Sequence, residues 1–179
     1  LSGSAAIRAS GFYRRDGGYI DDPHLGDNVN DGDTYGRRLS FLARPTEALS
    51  VRATVLLQNI RSNGTNIVDL DPVTLKPSLG RLEHQRLVAE PNDIDYRLYN
   101  ATVDYDFGPV TLISATSFGT LDQDGEVDAS EVYGPALSFV FGTPLGAGLD
   151  QGLEQRRFTQ EIRLASSGNP LVEWTIGGF

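Results

Sequence analysis

The side chains able to do chemistry are mostly carboxylates and arginines. Asp21, Asp22, Asp27, Asn28, Asp31 and Asp33 crowd one segment. Hard oxygen donors of this kind suit Ca²⁺. Their spacing lacks the D-x-D-x-D-G-x5-E loop pattern, so solvated loop charge is the better reading. His24 and His84 are the only histidines and lie on separate segments. Each reads as a solvated loop residue rather than a ligand for a transported metal. No G-x-S-x-G, H-E-x-x-H or phosphate loop occurs. Glu161 and Arg163, two apart on one strand face, pair most simply with each other or with neighbouring strands. Arg8, Arg14, Arg38, Arg52, Asp104 and Asp106 read the same way, as charges on a wet wall. No catalytic, cofactor-binding or metal residue is assigned, substrate-binding residues stay unassigned, and an enzyme is not expected.

The elements that must position these groups are strands. Alternation of apolar and polar residues at period two marks a strand with one dry and one wet face. In Ser4 to Asp16, Ile7, Ala9, Gly11 and Tyr13 share a face. In Thr34 to Arg44, Tyr35, Leu39, Phe41 and Ala43 do so, with Arg37 the exception near one end. In Leu49 to Arg61 the apolar set is Leu49, Val51, Ala53, Val55 and Leu57. In Asp95 to Phe107 it is Tyr99, Ala101, Val103, Tyr105 and Phe107. The strand Val110 to Asp122 has two possible faces. The set Val110, Leu112, Thr116 and Phe118 is preferred as the apolar one because it holds the aromatic ring. The last hairpin is Phe158 to Phe179. Phe158, Ile162 and Leu164 line one arm and Val172, Trp174 and Ile176 the other, around the turn Ser167-Gly168-Asn169-Pro170.

Seven strands are therefore expected, joined alternately by tight turns and long connections. The long ones cover 17–33, 62–94 and 123–155. The third contains PALSFVFGTPLGAGL, part of which is expected to fold back as a short strand. Soluble domains rarely hold structureless loops beyond about 15 residues. Outer-membrane barrels have this asymmetry of short turns and long loops. Tyr105, Phe107 and Trp174 sit beside turns, as an interfacial aromatic girdle requires, although cross-strand packing would place them equally well.

Composition narrows the classes. Only 39% of residues are apolar, which suits a barrel with a wet lumen because one residue in two faces lipid. The net charge of −9 argues against nucleic acid as a partner. Cys is absent, so there are no disulfides or thiolate sites. No apolar run approaches the roughly 20 residues of a membrane helix. Arg8 falls where the apolar part of a signal peptide would lie. Leu1 and Phe179 both fall within strand patterns, so residues 1–179 are read as a fragment, one partial barrel domain lacking a plug and further strands.

Four stretches resemble TonB-dependent outer-membrane receptors: GSAAIRASGFYRRDGGYIDD, LSFLARPTEALSVRATVLLQN, DIDYRLYNATVDYDFG and FTQEIRLAS with EWTIGGF. The last is the most specific, and together they cover nearly the whole chain. The nearest likeness is to the iron-complex receptor-like group of sphingomonad-type bacteria. The resemblance implies an all-β fold, here an antiparallel meander of about seven strands belonging to a large transmembrane β-barrel of about 22 strands. It implies active uptake of a siderophore or similar nutrient across the outer membrane of a Gram-negative bacterium. The implied partners are outer-membrane lipid, a plug domain, TonB and the nutrient. The chain departs from the family pattern in having no TonB box and no plug sequence. Two other functions fit the residues: a passive porin-like barrel, and a secreted glycan-binding β-sandwich.

Overall fold

The structure is a computed structural model that describes residues 4–167 and 172–179. It is all-β apart from one short helix. Seven strands form a single antiparallel sheet in chain order: β1 (Ala5–Asp16), β2 (Gly32–Ala43), β3 (Leu49–Ser62), β4 (Asn92–Asp106), β5 (Val110–Asp128), β6 (Gly148–Ser166) and β7 (Thr175–Gly178). Each strand pairs only with its neighbours in the chain, and β1 and β7 are the open edges of the sheet. Tight connections join β2 to β3 and β4 to β5 at one end. Residues 17–31, 63–91 and 129–147 form long loops at the other.

The register follows the alternation in the sequence. Leu39 pairs with Val55, Val55 with Tyr99, Tyr99 with Phe118 and Phe118 with Phe158. Directly opposed residues in an antiparallel pair share a face, so this row of apolar side chains runs across five strands. The next rows toward the turns repeat it. One passes through Ile7, Phe41, Ala53 and Ala101, and another through Val51, Val103 and Ile162. Leu49, Tyr105, Leu112, Leu164 and Ile176 make the row closest to the turns. The set Leu112, Thr116 and Phe118 thus lies on the apolar face, as preferred from the sequence. A slip of one residue would exchange the faces.

The sheet is one layer. Among the described residues, the only buried apolar side chains are Ile20 and Ala129, both in the loops. Leu39, Phe158, Ile162 and Ile176 are each at least half exposed, between 50% and 65%. A soluble sandwich covers one face of each sheet with the other sheet; among the described residues no second sheet lies against either face.

Three elements differ from expectation. Strands β5 and β6 run on into the connection expected over 123–155, pairing as far as Asp128 with Gly148. The first half of the apolar segment within it lies in a helix, α1 (Ser130–Phe141), and only its last residues, Gly148 and Leu149, are strand, as the start of β6. Just before the N-cap residue of α1, Ala129, Asp128 accepts from Ser130 N at 2.8 Å. Gly142 ends it in the left-handed region at φ 70°, donating to Ser138 O at 2.8 Å. A left-handed Gly just past the last helical residue is a common helix stop. Finally, β7 begins only at Thr175. Trp174 precedes it, tied to Ser166 by two 2.9 Å hydrogen bonds, from Ser166 N to Trp174 O and from Trp174 N to Ser166 Oγ. The turn expected at Ser167-Gly168-Asn169-Pro170 lies, beyond Ser167, outside the described residues.

Candidate functional site

The sheet's second face carries the charges expected of a wet wall. Arg8, Ser40, Thr54, Asn100, Ser117 and Thr159 form one row. Ser40 and Thr54 hydrogen-bond at 3.1 Å, and Ser117 bonds Thr159. Glu161 and Arg163 do pair, Arg163 Nε donating to Glu161 Oε1 at 2.7 Å. Arg14 pairs with Asp16. Asp106 caps the β4–β5 turn by accepting from Gly108 N at 2.7 Å. Arg8, Arg38, Arg52 and Asp104 lie on this face by register, and the structure does not gather them into one cluster.

This wall is not uniformly polar. Toward the loops, Leu56 pairs with Leu98, Gln58 with Tyr96 and Ile60 with Ile94. Phe12 lies over Gly36, where any β-carbon would come within 2.6 Å of the Phe12 ring. Gly119 forms part of a recess of about 140 Å³ lined by Tyr96, Leu98, Ser117, Leu121 and Arg157.

The loops build the second part of the site. The sequence reads them as structureless, and the structure shows them latched together. Asp22, expected to be solvated, is 3% exposed. Its Oδ1 accepts from His24 N at 2.7 Å and Leu25 N at 3.0 Å. Its Oδ2 accepts from Arg86 N at 2.6 Å, joining the first loop to the second. His84, also expected in solvent, is 1% exposed. The Ile67 carbonyl, 3.0 Å away, can only accept, so Nδ1 is the donor there. Nε2 faces Asp22 Oδ2 at 3.5 Å. His24 is the more exposed of the two histidines, with its Nδ1 4.0 Å from Asp22.

The latch continues to the third loop. Arg86 bonds Asp69 at 2.9 Å and Glu90 at 3.3 Å. Burial acts to lower the Arg86 pKa, but the hydrogen bond and charge of Asp69 and the charge of Glu90 outweigh it, so the guanidinium holds its proton more firmly. Glu90 also accepts from Thr65 Oγ1 at 2.8 Å and Asp128 N at 3.0 Å. Asp128 in turn accepts from Leu87 N and Val88 N. In the first loop Asn30 accepts from Tyr19 N and Ile20 N and donates to Asn66. No buried side-chain nitrogen or oxygen among the described residues lacks a partner. Polar groups buried this way stabilise one arrangement only when all are satisfied.

Asp71 closes a turn at the exposed edge of the second loop. Thr74 N at 2.6 Å, Thr74 Oγ1 at 2.9 Å and Val73 N at 3.0 Å all donate to Asp71 Oδ1. The Thr74 bonds, with that from Val73, hold its carboxyl below the ordinary carboxylate range.

Among the described residues no group of three or more His, Asp or Glu side chains converges as ligands. Asp21 and Asp22 are instead engaged by backbone N–H groups, Asp21 Oδ1 accepting from Asn28 N at 2.9 Å. Between the second loop and the start of α1 lies a groove of about 810 Å³. Nothing in the sequence pattern marks it, because its walls come from separate loops. No protein-family model matches the chain, and neither curated proteins nor solved structures include a match to it.

Proposed function

We propose that this sheet is part of the wall of an outer-membrane β-barrel, in a TonB-dependent receptor that imports a siderophore or similar nutrient. The observation that carries this reading is the sheet itself: one layer with adjacent apolar rows on one face, broken by Ser114, Thr116 and Gln160, and with tight turns at one end and long loops at the other. Water is a poor solvent for that face, and lipid would cover it. From Leu49 to Val55 the band spans six residue steps, about 20 Å at roughly 3.4 Å per residue. Arg37, Arg97 and Arg156 stand at its loop-side edge on one row with Leu57, where long cationic side chains can reach toward water. Tyr105 and Phe107 at the turn edge, with ring centroids 4.5 Å apart, suit an interfacial girdle.

The opposite face suits the lumen, and the latched loops suit the outer mouth. Edges β1 and β7 would pair with further strands, since lipid does not tolerate open edges. The uptake step would rest on the plug and TonB, which this sheet does not contain. A passive barrel shares the same wall, and energy coupling separates the two.

The test uses the full-length protein in its own cells. It should sediment with the outer membrane and leave it only in detergent. Uptake of a radiolabelled iron chelate should fall when the gene is deleted and when the proton gradient is collapsed. Recovery from the soluble fraction would contradict the barrel reading. Uptake that survives collapse of the gradient would favour the passive pore.

A further inference from the structure

We propose that the groove between the second long loop and helix α1 is a binding site for a small amphipathic ligand with one positive charge. The proposal deepens the uptake reading and rests on it for the direction of transport, though not for the binding itself. The groove's volume of about 810 Å³ lies within the range of small-molecule sites. Val68, Leu70, Pro72, Leu79 and Leu87 supply apolar walls. Leu70, Leu79 and Leu87 stay between 40% and 49% exposed, so the groove is open to an incoming molecule.

The polar groups of the lining sort into spent and unspent. Asp69 is committed to Arg86 and to Gln85 N. Asp128 accepts from three backbone N–H groups, those of Leu87, Val88 and Ser130. Ser130 Oγ accepts from Ala147 N at 2.9 Å. Glu131, in the first turn of α1, has no hydrogen bond or ion pair among the described residues, and it lines both this groove and the adjoining recess beside Arg86 and Glu90. It is the uncommitted charge of the site.

The surroundings act in the same direction. The three long loops carry nine carboxylates against three cations, Lys76, Arg81 and Arg86. Charge of one sign around a cleft concentrates ligands of the other sign and rejects like charge. Polyanionic chelates are therefore disfavoured here. A cation with a hydrocarbon portion satisfies Glu131 and fills the leucine walls.

The experiment uses full-length protein in lipid nanodiscs and titration calorimetry with three blocked tripeptides: acetyl-Leu-Leu-Arg-amide, acetyl-Leu-Leu-Gln-amide and acetyl-Leu-Leu-Glu-amide. The arginine peptide should bind about tenfold more tightly than the glutamate peptide, and the gap should shrink as salt rises. Glu131→Gln should weaken the arginine peptide about threefold to fivefold and leave the glutamine peptide unchanged. Because the Glu131 side chain has no partner to lose, this variant keeps the fold, and Leu79→Asn should weaken all three peptides. Equal affinity for the three peptides, no binding of any, or indifference to Glu131→Gln would overturn the site. Those results leave the membrane reading untouched, which fails only if the protein does not partition into lipid.

Discussion

Thr116 on β5 donates its hydroxyl to Gln160 on β6, directly opposite, within the apolar band. Gln160 Nε2 donates in turn to Ser114 Oγ at 3.0 Å. Polar side chains facing hydrocarbon must satisfy one another, because lipid offers no partner. Thr116→Val removes one partner and should cost about 1–2 kcal/mol of folding stability in lipid vesicles. Replacing all three at once, Ser114→Ala with Thr116→Val and Gln160→Leu, removes the whole need and should be neutral or stabilising. Urea unfolding in vesicles checks both. The opposite ranking would mean that this face is wet.

Val55 and Thr54 are adjacent on β3 and face opposite sides of the sheet. Val55→Arg should lower folding yield in vesicles, since Arg near the bilayer midplane costs about 2–4 kcal/mol. Thr54→Arg, in the row of Arg8, Ser40 and Asn100, should fold nearly as well as the parent. Equal yields would reverse the assignment of the faces.

The Asp22 latch sets the order of the loops. Asp22→Ala leaves the N–H groups of His24, Leu25 and Arg86 without an acceptor, at about 1–3 kcal/mol for each one that stays buried. Hydrogen exchange should then rise across 17–31 and 80–90, while strands β2 to β5 keep their protection. His84→Ala should act on the same segments. Exchange that rises equally in the strands would show that the loops and the sheet unfold as one unit.

Asp71 gives a pH effect of known sign. Its folded pKa lies below the ordinary value of 3.8, so the turn is stabilised above that value and the stability is lost as pH falls through the folded one. The Thr74 amide resonance should shift as pH is lowered from about 4. Asp71→Asn should abolish that shift. A transition centred above 3.8 would contradict the arrangement.

The strands were legible because their signal is local. Period two in Leu49–Ser62 or Asn92–Asp106 needs no knowledge of the rest of the chain, and the register follows once the faces are set. The β5 face was harder, because Thr116 and Ser114 interrupt the apolar set; their bonds to Gln160 on β6 explain the interruption, and no pattern within β5 reveals them. The loops were not legible at all. Asp22 and Arg86, or Glu90 and Asp128, are joined across long sequence separations, and buried polar contacts of that kind leave no periodicity. Helix α1 was missed because part of the apolar run from Pro135 was read as a returning strand, and a short apolar run does not by itself separate strand from helix. The groove was missed for the same reason as the latch, since Glu131 gains its setting only from a distant loop.

The most direct test of the proposed membrane wall asks what each face of β3 touches. Single nitroxide labels are placed at Val55→Cys and Thr54→Cys in the full-length protein, otherwise free of reactive Cys, reconstituted in lipid. Collisions with oxygen report hydrocarbon, and collisions with a water-soluble nickel chelate report the aqueous phase. The account requires the label at 55 to be relaxed mainly by oxygen and that at 54 mainly by nickel, with the pattern alternating along Leu49–Ser62. Nickel access at both positions, or the reverse alternation, would contradict it.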